Sequence, residues 1–307
     1  MARDLLTRRP VTNRIEWRHL LAPVAAIIFI ASPAAFAQTP SDPSSGDPPT
    51  PTAAVESASV ASTDDDDAVL RPLEPDFTLI NLPTTLPLPA HKGNFHLTHR
   101  FNGNLRNRDF GDNASSLFGL DEGATIGFEY RFGLAKHVEV AASRTNFART
   151  IELSGKYDAF HQSASTPVGF SAVVSVEGVN NFQEQYAQAV GASISRGFLN
   201  RVQLYAVPMW VHNSAAATGT TRNTAFLGLG GLVRVGSTVY LAGEVSPRVA
   251  GYVIGDAEYG FSLEKRVGGH VFALTFTNSQ GTTFAQLSRG GFPVSLYLGF
   301  NLSRKFF

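Results

Sequence analysis

The chain of 307 residues contains no cysteine, two methionines and two tryptophans. Without cysteine there is no disulfide, no thiolate metal site, no covalent c-type haem attachment and no lipid-modified N-terminal cysteine. Charge is scarce as well, at 16% of residues, where about a quarter is usual. Basic and acidic residues balance at 25 each, so whole-chain electrostatics points to no nucleic acid partner. What is plentiful is glycine (28), phenylalanine (23) and hydrophobic residues generally, 43% of the chain. That mixture suits a chain that presents apolar surface to lipid. It also suits a large soluble β protein, so residue pattern has to decide.

Residues 1–37 read as a signal peptide. Arg3, Arg8, Arg9, Arg14 and Arg18 precede an apolar run from Leu20 to Ala31, and Ala35-Phe36-Ala37 is a small-x-small cleavage site. Basic, apolar and cleavable parts in that order make a secretory address. The apolar run is too short for a spanning helix, which needs about 20 residues. Residues 38–75 are rich in Pro, Ser, Thr, Ala and Asp, include Asp64-Asp65-Asp66-Asp67 and hold no aromatic residue. Such a segment cannot bury enough surface to offset its ordering entropy, so a disordered tether is expected. The acidic run lacks the Gly and closing Glu of a calcium loop. In residues 76–92, Phe77, Leu79, Ile80, Leu82, Leu86 and Leu88 are interspersed with Pro83, Pro87 and Pro89. This is an extended segment that docks on something, with a lumenal plug as one destination.

From residue 93 to 307 the hydrophobic period is two. In the run from Ala124 to Phe132 one face carries Ala124, Ile126, Phe128, Tyr130 and Phe132, and the other Thr125, Gly127, Glu129 and Arg131. A strand fits this and a helix does not. About twelve such segments follow one another: 94–102, 123–132, 137–147, 150–160, 167–178, 185–196, 201–212, 224–235, 238–248, 257–266, 270–278 and 294–303. Most have the length of a tilted strand crossing a bilayer. Longer connections near 103–122, 213–223 and 279–293 alternate with short turns near 133–136, 197–200, 236–237 and 267–269, as in outer-membrane barrels. The 147–150 connection is a mere turn on the long-loop side. No helices are in view to cover a second sheet face. The expected fold is therefore all-β: a closed, antiparallel, up-and-down transmembrane β-barrel of about 12 strands behind a disordered N-terminal tether, integral to a bacterial outer membrane.

A cation on the lipid face at mid-membrane costs roughly 2–4 kcal/mol. That cost sets the register and sends Glu129, Arg131, Glu152, Lys156, Glu244 and Arg248 into the lumen. At the C-terminus Phe307 supplies a closing aromatic, although Phe300 and Leu302 share parity with Phe306 instead.

Several segments, taken in order and spacing, resemble a known family. They are His99-Arg100-Phe101, the run from Leu117 to Ala124, Ser154-Gly155-Lys156-Tyr157, the run from Glu244 to Arg248, the run from Asn278 to Thr282 and the run from Gly299 to Arg304. The family is the membrane-bound β-barrel group catalogued as domain of unknown function 5777, and the resemblance covers roughly residues 77–307. It implies an outer-membrane barrel and no established activity. The long tether departs from the family's pattern.

Function is read as a pore or small-solute transporter, with the six charged residues either lining a conducting path or pairing across the lumen as a structural network. The alternative is a filled barrel, or a scaffold whose acidic tether recruits a periplasmic partner. A lipid-hydrolase reading has only His161-Gln162-Ser163 to carry it, and no third group orients that base. His96 and His99 fall on opposite strand faces and cannot share a metal. Gly228-Leu229-Gly230-Gly231 sits in a strand with no helix after it, which excludes a dinucleotide loop. No enzyme activity, cofactor or metal is expected, and the expected contacts are outer-membrane lipid, a small solute and no nucleic acid.

Overall fold

The computed structural model describes residues 73–215, 220–253 and 255–307. The stretch read as a signal peptide, and the stretch read as a tether up to residue 72, lie outside these. Thirteen hydrogen-bonded runs form one antiparallel sheet: β1 (Gly93–Asn104), β2 (Ala124–Ala135), β3 (Val138–Thr145), β4 (Ile151–Phe160), β5 (Gly169–Gly178), β6 (Glu184–Phe198), β7 (Val202–His212), β8 (Thr224–Arg234), β9 (Val239–Ser246), β10 (Arg248–Gly251), β11 (Glu258–Val267), β12 (His270–Thr277) and β13 (Tyr297–Phe306). β9 and β10 both pair with β8 and are one wall strand interrupted at Pro247. Proline has no N–H to give the ladder. Twelve strands thus cross, each beside its sequence neighbours, and β1 closes the barrel by pairing with both β2 and β13.

Parity divides the wall into two surfaces. One outward row runs across paired strands through Leu241, Leu263, Leu274 and Phe300. It continues into His99, which stacks on Phe300 with centroids 4.7 Å apart. Phe128, Tyr130, Phe261, Phe272 and Leu263 are each about half exposed. The inward positions are polar: Arg100, Ser171, Ser193, Glu258 and Thr275 are all fully buried inside the barrel. This inverts a soluble protein and matches a wall with hydrocarbon outside.

Two expectations shift. The final strand, read as 294–303, runs Tyr297–Phe306. The ladder of β1 with β13 shifts register between Arg100 and Asn104, and there the Asn104 side chain takes the Leu296 N–H at 3.0 Å while the Leu296 carbonyl accepts the Leu105 N–H at 2.9 Å. Phe306 is therefore the last lipid-facing aromatic, paired with Gly93, and Phe307 lies beyond the strand. The connection 279–293 also holds a short helix, α1 (Phe284–Ser288), whose five residues are all buried. A capping box between Thr283 and Gln286 starts it, satisfying N–H groups the turn would leave orphaned. Periodicity over so short a stretch cannot reveal it.

Leu263→Arg, at the centre of the outward row, is expected to destabilise the refolded barrel by about 2–4 kcal/mol, read from denaturant titration in lipid vesicles. A cost near zero would place that row away from hydrocarbon.

Candidate functional site: the occupied lumen

Residues 73–92 fill the lumen from the end where β1 begins; the segment read as 76–92 thus starts earlier, because Glu74 and Pro75, read as tether, are buried and hydrogen-bonded to Tyr205 and Lys305 of the wall. Their tip is a tight hairpin: Leu79 N–H donates to the Leu82 carbonyl at 2.8 Å and Thr84 N–H to the Phe77 carbonyl at 3.0 Å. At its apex the N–H groups of Ile80, Asn81 and Leu82 converge on the Glu244 carboxylate of β9, at 3.1, 2.9 and 3.1 Å. Three amides on one carboxylate form a charge-assisted nest, stronger than neutral hydrogen bonds. Asn81 extends the contact, its Nδ2 donating to Glu258 at 3.1 Å and its Oδ1 accepting from Arg100 at 3.3 Å. Asn301 donates to the Ile80 carbonyl at 3.0 Å.

The wall makes room for this tip with glycine. A Cβ on Gly228 would stand 2.7 Å from Leu82 Cδ2, and one on Gly230 would overlap Leu79. Leu79 and Leu82 join Val207, Phe226, Leu232 and Tyr240 in one apolar cluster on the β7–β9 side. Of the Gly228–Gly231 run, Gly228 and Gly230 therefore receive the plug's side chains, while Gly231 lies against Leu204 on the other face.

The opposite side is charged. Lys305, Lys156 and Arg131 surround the Phe77 ring at 5.3, 5.7 and 5.8 Å from its centroid, each in cation–π range. The same cations donate to plug oxygens: Lys305 to the Pro75 carbonyl at 2.7 Å, Lys156 to the Leu86 carbonyl at 2.6 Å and Arg131 to Thr78 Oγ1 at 2.6 Å. Asp76 accepts from Ser303 at 2.8 Å. Elsewhere Ser193 donates to the Pro83 carbonyl, and Thr85 Oγ1 and Ser195 Oγ lie 2.5 Å apart. Glu74 accepts from Tyr205 at 2.9 Å and Thr85 at 3.1 Å. Burial raises the Glu74 carboxyl above the ordinary carboxylate range, while these hydrogen bonds pull it back. The plug is thus hydrogen-bonded to side chains of β1, β2, β4, β6, β7, β9, β11 and β13.

A second closure comes from the other end. The Phe284 N–H at the start of α1 donates to Glu152 at 3.3 Å, and Gln286 donates to Thr150 at 3.2 Å. Arg289, just past α1, donates to the Ser214 carbonyl at 2.9 Å and stands 3.9 Å from Glu177. Between the two closures lies a cavity of about 80 Å³, floored by Thr78 and Ile80, roofed by Thr282 and Phe284, and walled by His96, Thr98, Glu129 and Glu139.

All six charged residues picked out by parity face inward, but they do different things. Glu129 and Arg131 pair with each other on β2. Lys156 stands 3.2 Å from Glu139 and 3.6 Å from Asp158. Glu152 holds α1 and Glu244 holds the plug tip. Arg248 sits at the loop-side rim, donating to the carbonyls of Asp256 and Gly255. Among the described residues, the ion pairs inside the barrel join residues within a strand, on adjacent strands or from the α1 loop to β5, where pairing across the lumen was one expectation; the plug occupies the space between. Arg100, Glu139, Glu258 and Lys305 were not singled out. The alternation of β1 and β13 already sends Arg100 and Lys305 inward, and the missing signal was the plug's position. His161 and Ser163 lie in the exposed 161–168 connection, where Ser163 bonds Ser165 and Thr166.

A closed antiparallel sheet, apolar outside and charged within, defines a membrane-spanning β-barrel. The chain belongs to the family described as "Membrane bound beta barrel domain (DUF5777)", whose profile matches residues 76–306. No curated protein matches it. Among solved structures, the NanC porin is similar at 7% identity, covering 70% of this chain and 99% of its own, with a TM-score of 0.44. The outer membrane protein Omp33 of Acinetobacter baumannii matches at 10% identity, 70% and 98% coverage and a TM-score of 0.39. An active-site mutant of outer membrane phospholipase A from Escherichia coli matches at 10% identity, 74% and 95% coverage and a TM-score of 0.42.

Glu244→Ala removes the acceptor of three buried N–H groups and is expected to loosen the plug tip by about 1.5–3 kcal/mol. Hydrogen exchange at Ile80, Asn81 and Leu82 should accelerate accordingly, with the barrel still folded by its migration on unheated gels. Unchanged exchange would mean that Glu244 does not hold the tip.

Proposed function

We propose that this chain is a gated outer-membrane pore for small polar solutes, without enzymatic activity, and that its own residues 73–92 hold it shut. The observation that carries this reading is the chemistry of the plug's seat. On the β1–β4 and β13 side, wall charges meet plug carbonyls, hydroxyls and a ring face. Water can replace each of those partners once the segment withdraws. A wall built only to be filled has no need of charge, because apolar packing closes a lumen at lower cost. The plug enters beside the start of β1, so withdrawal toward that end needs no rearrangement of the wall.

A second reading, a permanently filled barrel, draws on the apolar cluster of Leu79 and Leu82 with Val207 and Phe226. That contact alone contributes several kcal/mol toward keeping the plug in place.

The absence of cysteine allows a clean test. Thr85→Cys with Ser195→Cys places two thiols where hydroxyls now touch. In planar bilayers the full chain should show conducting episodes when reduced and none when oxidised, with recovery on adding dithiothreitol. Silence in both states, from protein shown to be folded, would overturn the pore and favour the filled barrel. Steady current in both states would overturn the plug as its gate.

A further inference from the structure

The lipid-facing belt is built mostly of large side chains, but across β6, β7, β8 and β10 it is dented. The floor of the dent is Ala192, Pro208 and Ala225, and its walls are Val190, Trp210, Leu227 and Val249. Pro208 cannot donate a ladder hydrogen bond, and the pairing of β6 with β7 jumps from Gly191–Met209 to Ile194–Ala206. The result is an almost wholly apolar groove of about 570 Å³, in the size range of pockets that take whole small molecules.

The groove has a polar, aromatic end. Trp210 lies two residues from the end of β7, about 7 Å along the strand. Its indole stacks near His212, with centroids 5.8 Å apart, and His212 Nδ1 lies 2.9 Å from Asn223 Oδ1. Asn223 in turn accepts the Tyr252 N–H at 2.9 Å. The Arg222 guanidinium stands 5.6 Å over the Tyr252 ring. Pairing of Trp210 with Ala225, and of Ala225 with Ala250, puts these three on the outward face, and Arg222 is exposed just before β8 begins. Tryptophan and tyrosine at a strand end mark the headgroup level, and a cation held there attracts anionic lipid.

We infer that this groove is a binding site for one acyl chain of a phosphorylated membrane lipid at the long-loop end of the barrel, with its phosphate on Arg222. Hydrocarbon surrounds this face, so an unfilled groove would forfeit dispersion contacts along its whole length. Flexible acyl chains fill such a shape, and the cation at one end selects which lipid supplies the chain. The site does not depend on the lumen being a pore.

Trp17 and Trp210 are the only tryptophans, so Trp17→Phe makes Trp210 a built-in reporter at the groove wall. The full chain carrying that change would be placed in phosphatidylcholine vesicles. Either brominated phosphatidylglycerol or brominated phosphatidylcholine would then be added at equal mole fraction. The anionic lipid should quench Trp210 about fivefold more effectively, the selectivity one cation near the surface provides. Arg222→Gln should bring the two lipids level, and Ala225→Leu, which fills the floor, should lower quenching by both. Equal quenching by the two lipids before any change at Arg222 would overturn the proposal. So would a preference that survives both substitutions in protein that migrates as folded.

Discussion

Ionised groups inside a closed β-sheet must find partners or water, because an unpaired buried charge costs far more than any single contact returns. Glu244 shows how this chain meets that constraint. Its carboxylate takes three amide protons from a hairpin more than 160 residues away in sequence. Arg131, Lys156 and Lys305 repeat the pattern with opposite sign, donating to oxygens of the same segment. Wall and plug therefore depend on each other: without the plug these groups need water, and without them the plug has no seat.

The seat is asymmetric. On the β7–β9 side glycines recess the wall and leucines enter it; on the β2, β4 and β13 side the wall projects cations at one phenylalanine ring. Apolar contact supplies most of the free energy of such burial, while directional contacts decide register. One residue of slip along the hairpin would move the three amides off Glu244 and the leucines off their glycines together. The same economy appears in α1, where a capping box forms the helix and Glu152 accepts one of its first free amides.

The outer wall answers a different solvent. There the demand is for continuous apolar cover, and the row from Leu241 to Phe300 meets it. The departures from it are local and have visible causes. Pro208 interrupts one ladder and opens the groove beside Trp210; Pro247 interrupts another and turns Arg248 to the rim carbonyls.

Much of this was legible in residue order. The dyad rule is local, so twelve crossing segments, the alternation of loop lengths and the inward parity of Glu129, Arg131, Glu152, Lys156, Glu244 and Arg248 follow from each stretch read separately. The start of the last strand falls later than the dyad suggests because the Asn104 side chain, distant in sequence, holds Val294 and Leu296 just ahead of it. The plug's destination, the partners of each inward charge and the folding of α1 into the mouth could not be read this way. They exist only once β13 meets β1 and encloses a space, and pairing across that space relates residues that no periodicity connects. Sequence by itself determined which surface each side chain faces, because a strand offers only two; tertiary structure decided what it meets there, because closure brings the partners together.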